Sequence, residues 1–204
     1  MPKKTFFNLP DNKREKLIES AEEEFSRVPL SQASIANIVK AAGIPRGSFY
    51  QYFENKEDAF YYLLEAQTNK RKEFFIISLQ KNNGDILAAI EDLFCLMLKE
   101  LGEEDNLNFL KNALMNVTHE IEDVFTKIFT IKDSGKSSLI EIRNMIDKEK
   151  LNISDEKEFF HIMQILTSVT FRNLVDKYSR DISDEEALEN FMIEMNLLRK
   201  GLSK

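Results

Sequence analysis

Residues 34–53 read SIANIVKAAGIPRGSFYQYF. Ile35, Ile38 and Val39 recur at helical spacing behind Ser34, a suitable N-cap, and Gly43 follows Ala42 where a helix would end. Pro45 stands where a new helix can start without its missing N–H. Helix, glycine turn and second short helix make a helix-turn-helix, and that reading decides the fold.

On a helical wheel of about 100° per residue, Phe49 and Phe53 define the buried side of the second helix, expected to pack on Ile35, Ile38 and Phe25. The opposite side centres on Gln51, flanked by Gly47 and Ser48, with Tyr50 and Tyr52 on the rims. A glutamine amide can pair with adenine N6 and N7 in a major groove. Rim hydroxyls suit phosphates, which position a protein without reading sequence. Arg46 can reach a phosphate or a guanine edge, and Gly47 lets the backbone come close to DNA. Ser34 and Lys56 are two further candidate phosphate contacts, since helix N-termini favour anions.

Working outward, Asp11 is expected to cap a helix running to Arg27, with Leu17, Ile18, Ala21 and Phe25 inward and Glu22, Glu23 and Glu24 toward solvent. Val28-Pro29-Leu30 is the connector. Asn55 caps a fourth helix reaching about Gln80, and Lys81–Gly84 is a loop. Further helices are expected at 85–101, 105–130 (one helix or two), 134–150, 155–180 and 184–201, with Ser154 and Ser183 as caps. None of the four prolines falls between residues 46 and 204, so the body is all-α.

Composition narrows the function. Residues 1–56 carry net charge +2 and residues 57–204 net −9, so any DNA binding is a local N-terminal property. No apolar run is long enough to span a membrane, and residues 1–16 lack the apolar core of a secretory signal, so neither a span nor such a signal is expected. The single cysteine, Cys95, lies in the apolar run LFCLML and reads as a buried thiol suited to a reducing cytoplasm. His119 and His161 lack the companions a metal site needs, so no metal and no cofactor are expected. Gly-rich phosphate loops and nucleophile–base pairings are missing, so the chain is not expected to be an enzyme. Lys70-Arg71-Lys72 reads as a solvated helix face. A protein-binding helical adaptor is the remaining alternative, but an adaptor has no use for an exposed Gln51 between tyrosines.

The segment resembles the DNA-binding domain of the TetR family of bacterial transcriptional regulators. The likeness runs over Leu17-Ile18, Ala21, Phe25, Ser34, Ile38, Ala41–Ile44, Arg46–Tyr50, Tyr52-Phe53 and Lys56-Glu57. It departs where the family usually has Gly in the connector, Ala at Val39 and, more often, Thr at Ser34. The resemblance implies an all-α architecture: a three-helix DNA-binding domain over residues 10–70 and a helical body over 71–204 for dimerisation and effector binding. It places the family's contacts on Ser34, Arg46, Ser48, Tyr50, Gln51, Tyr52 and Lys56. It further implies a homodimeric repressor, in the cytoplasm, that leaves a palindromic operator on double-stranded DNA when a small molecule binds. Helices 155–180 and 184–201 would form the interface between protomers. Phe94, Met97, Phe109, Met115, His119, Phe125, Phe129 and Phe171 are candidate lining of the effector cavity.

Overall fold

A computed structural model describes residues 1–102, 108–126 and 142–202, and among these no strand occurs. The helices are α1 (Lys4–Phe7), α2 (Asp11–Arg27), α3 (Ile35–Ala42), α4 (Arg46–Tyr52), α5 (Lys56–Lys81), α6 (Ile86–Gly102), α7 (Asn108–Met115), α8 (His119–Thr126), α9 (Glu156–Ser179) and α10 (Asp184–Leu202). Two compact units form: Met1–Gln67 with Glu103–Val124, and Thr68–Gly102 with Phe125–Lys204. The first part of α5 belongs to the first unit and the rest to the second.

In the first unit, Leu17, Ala21 and Phe25 recur every four residues and bury one stripe of α2. Phe25 meets Phe60 of α5 and Phe109 of α7 at ring distances of 5.3 and 6.2 Å, rather than joining Phe49 and Phe53. The latter pair pack on each other at 5.4 Å, and Phe53 continues onto Phe6 of α1 at 5.1 Å. The Asn112 side-chain amide donates to the carbonyls of Phe25 and Ser26, at 3.0 and 2.6 Å, so α7 closes the C-terminal end of α2.

Glu24 does not face solvent as expected but is 5% exposed. It stands seven residues after Leu17, which returns it to the buried stripe. A desolvated carboxylate needs partners, and here three groups supply them. Arg27 donates to it from 2.8 Å, the Ser34 N–H from 2.8 Å and the Asn37 amide from 3.1 Å. One side chain thus joins α2, the connector and α3. Lys56 Nζ donates to the Ser31 and Ala33 carbonyls at 3.0 and 3.1 Å, holding the connector from the other side.

In the second unit, Phe94 of α6 stacks on Phe191 of α10 at 3.8 Å. Arg199 bridges Asp85 and Glu91, and Asn173 of α9 donates to Glu194 of α10 at 2.7 Å. Gly84 has φ +76°, and a side chain there would meet the Met145 carbonyl at 2.6 Å, so the loop after α5 requires glycine.

Several local expectations are corrected. Asp11 is the first helical residue and Pro10 the cap position. Asp155, not Ser154, caps α9 by accepting from the Glu158 N–H. The 105–130 segment contains two helices, α7 and α8, with Thr118 accepting from the Ile121 N–H at the break. Phe129 and residues 134–141 of the expected 134–150 helix lie outside the described residues; of the remainder, 142–145 are α-helical and Lys148–Lys150 form a 3-10 turn, so the helix does not run on to 150. Arg71 is not on a solvated face: it is buried and pairs with Glu100 of α6 at 2.8 Å. Cys95 is exposed, because it follows Phe94 by a third of a turn and leaves the inward stripe of α6.

Glu24→Ala should destabilise the chain by about 2 kcal/mol in urea unfolding followed by far-UV circular dichroism, because Arg27, the Ser34 N–H and the Asn37 amide lose their shared charged acceptor. Burial pushes the Glu24 carboxyl up, but Arg27, the Ser34 N–H and Asn37 together hold it below its ordinary value of 4.5. A lowered folded value gives stability that is complete above the ordinary value and is lost as pH falls through the folded one. The wild type should therefore lose its margin over Glu24→Gln as pH drops below 4.5, read from midpoints across a pH series.

Candidate nucleic-acid interface

Gly43 has φ 67° and ψ 31°, the left-handed conformation in which glycine carries no side-chain penalty. Its N–H bonds to the Lys40 carbonyl, and the Ile44 N–H reaches back to that of Val39 at 3.0 Å. These two bonds close α3 with a Schellman turn. Pro45, at φ −61°, directs the chain into α4, whose first turn closes with Ser48 N–H on the Pro45 carbonyl at 2.9 Å. The angle between α3 and α4 is therefore set by backbone bonds, and Phe49 and Phe53, both buried, hold α4 against the core.

The opposite side of α4 is open. Arg46, Gly47, Tyr50 and Gln51 are exposed, and Ser48 and Tyr52 are half-buried. The surface presents an arginine, a bare backbone at Gly47, two phenols and an amide that can donate and accept at once. Nothing lies within 4 Å of where a Gly47 side chain would begin, so no packing demands glycine there.

Ser34 and Lys56, the two further candidate phosphate contacts, each already have a structural task. The Ser34 hydroxyl makes no cap on α3; instead its N–H goes to Glu24, and its carbonyl accepts from Asn37 and Ile38. Lys56 spends two of its three ammonium hydrogens on connector carbonyls, which leaves one for an outside acceptor. Residues 1–7 escaped the sequence reading. Phe6 is fully buried against Phe53 and Tyr62, and a Phe-Phe pair in an otherwise polar leader was the available signal.

The candidate effector residues divide between the units. Phe109 packs on Phe25 and Phe60, Met115 is exposed and His119 is an exposed partner of Asp123 at 3.6 Å, all in the first unit. Phe94 and Met97 are buried in the second unit, where Phe125 meets Phe171 at 5.5 Å. No group of three potential metal ligands occurs among the described residues, and no helix among them is long and apolar enough to cross a membrane.

Comparison with known proteins bears on both ends of the chain. The model of the tetracyclin repressor-like C-terminal domain matches residues 85–202, more than half of the chain, and that of bacterial regulatory proteins of the tetR family matches residues 17–61. The HTH-type transcriptional regulator AcrR of Shigella flexneri is 26% identical over 103 residues, 50% of this chain and 48% of AcrR. The chain spans about half the length of this curated relative. Among solved structures, SmeT, the repressor of the Stenotrophomonas maltophilia multidrug efflux pump SmeDEF, superposes with a TM-score of 0.66 at 15% identity, covering 94% of this chain and 90% of SmeT. FadR of Bacillus subtilis, solved with stearoyl-CoA, gives 0.60 at 17% identity, covering 92% and 98%. At these identities the two structures show a shared fold.

Gly47→Ala should raise stability, by about 0.5–1 kcal/mol, since alanine is the better helix former and meets no neighbour. The same variant should bind DNA more weakly, because the methyl group stands on the open face. Thermal melting and a DNA-binding titration check the two halves, which move in opposite directions.

Proposed function

Because the chain belongs to the TetR family of bacterial regulatory proteins, we propose that it is a sequence-specific DNA-binding regulator of transcription. In this reading it is a homodimeric repressor that a small molecule releases from a palindromic operator. The observation that carries the reading is α4: a helix locked by Phe49 and Phe53, with Arg46, Gly47, Tyr50 and Gln51 open on the other side. Gln51 reads an adenine edge in the major groove, and Arg46, Ser48, Tyr50 and Tyr52 hold phosphates. Ser34 adds its hydroxyl and Lys56 its remaining hydrogen.

A second copy of the chain supports twofold reading of two half-sites. In the second unit Ile165 of α9 and Ile193 and Leu197 of α10 are 43%, 53% and 62% exposed. His161, Gln164, Ser168 and Arg172 share the exposed side of α9 with Ile165. These apolar positions between polar ones form the face assigned to the partner protomer.

Release requires a ligand that binds the non-DNA state more tightly than the DNA state. Phe94, Met97, Phe125 and Phe171 supply apolar surface for it in the second unit. The bound stearoyl-CoA of FadR favours an effector with a long apolar part. The element that can carry the signal is α5, which contributes to both units.

Tyr50→Phe should weaken binding to all duplexes alike, by about 1 kcal/mol for one hydrogen bond to a charged group. Gln51→Ala should relax preference at one base pair per half-site, at roughly 1–3 kcal/mol. Titration against a panel of singly substituted duplexes separates the two, and unchanged discrimination by Gln51→Ala rejects its base-reading role. Ile193→Asp with Leu197→Asp should shift the chain from dimer to monomer in sedimentation equilibrium, and a persistent dimer rejects that face.

A further inference from the structure

A helix leaves its last four carbonyls without helical partners. In α4 these are Phe49, Tyr50, Gln51 and Tyr52. The Phe49 carbonyl accepts from the Phe53 N–H at 2.9 Å. The other three are taken by one short segment at the N-terminal end of the sequence. Lys3 N–H donates to the Tyr52 carbonyl at 2.8 Å, Lys3 Nζ to that of Tyr50 at 2.8 Å, and Thr5 Oγ1 to that of Gln51. Phe6 anchors the segment, buried on Phe53 and Tyr62 at ring distances of 5.1 Å each. All of these residues lie in the first unit.

The three carbonyls belong to the residues that face DNA in the proposed function. Helical side chains leave the backbone in fixed directions, so the rotation of α4 about its axis sets where the Gln51 amide points. Paired hydrogen bonds to a base edge tolerate about 10–20° of misorientation. A seven-residue helix holds no such angle by itself. It has no basic residue in its last turn, and the Lys3 ammonium stands at its negative end.

We propose that Lys3, Thr5 and Phe6 form a strap that fixes the rotation of α4, so that base discrimination depends on residues outside the helix-turn-helix. Lys3 and Thr5 are positioning residues, which act through Tyr50, Gln51 and Tyr52. The inference rests on the reading of α4 as the base-reading helix. Phosphate contacts adapt to a few degrees of rotation and base contacts do not, so the strap governs specificity more than general affinity.

The test uses the full-length chain, a duplex that the wild type enriches from a randomised double-stranded library, and a mixed-sequence duplex of equal length. Thr5→Val keeps the side-chain shape without the hydroxyl, and Thr5→Ser keeps the hydroxyl. The ratio of Kd for mixed over enriched duplex should fall about threefold to tenfold in Thr5→Val, and further in Lys3→Met with Thr5→Val. Thr5→Ser should retain the wild-type ratio, and far-UV circular dichroism at the assay temperature should stay unchanged in all three. An unchanged ratio in the double variant, or an equal loss on both duplexes, overturns the strap while the reading of α4 stands. A wild type that enriches no duplex overturns that reading and the strap with it.

Discussion

A buried carboxylate organises the first unit of this protein, which carries the helix-turn-helix. Glu24 is held by Arg27, the Ser34 N–H and the Asn37 amide, which come from α2, the connector and α3. A charge taken out of water is tolerated only when its partners stay in place, and removing one leaves a large penalty behind. The three elements are therefore tied at one point, and the position of α3 follows from it. The Schellman turn at Gly43 then fixes the start of α4, so the orientation of the exposed Gln51 begins with a side chain on another helix. The connector carries Val28-Pro29-Leu30 where glycine is usual in the family. Glu24 accepts from the Ser34 N–H and Lys56 donates to the Ser31 and Ala33 carbonyls, so this connector is restrained by side chains.

The same economy of tertiary bonds explains how so short a helix keeps a fixed orientation. Seven residues form too few internal hydrogen bonds to be stable alone. The phenylalanine pair fixes the depth of α4, the turn fixes its beginning and residues 3–6 occupy its end. Each restraint acts on the backbone or the buried side, so the exposed side stays available. The electrostatics agree, since the net positive charge lies in residues 1–56 and the acidic balance in the remainder.

Local patterns made much of this legible. The glycine turn, the α4 phenylalanines, the Asn55 cap on the Asp58 N–H and the all-α body were all visible as spacing or breaker placement. What was hidden depends on partners distant in sequence. Glu24 sat in a run of three glutamates that looked solvated, and its burial depends on Ser34 and Asn37. Arg71 stood between two lysines, yet Glu100 waits for it 29 residues later. The strap joins residues 47 and 46 positions apart, beyond any periodicity. Phenylalanines that pack a core and those that line a cavity obey the same spacing, so spacing alone separates neither role: Phe109 meets the rings of Phe25 and Phe60.

The central claim is that α4 enters the major groove of DNA in two places. Methylation interference with dimethyl sulfate tests it directly, because the reagent marks guanine N7 in the major groove and adenine N3 in the minor groove. The account predicts that N7 methylation blocks binding at two clusters separated by about 10 base pairs or a multiple of that, while N3 methylation between them is tolerated. Interference confined to adenine N3, or none at either position, would contradict it.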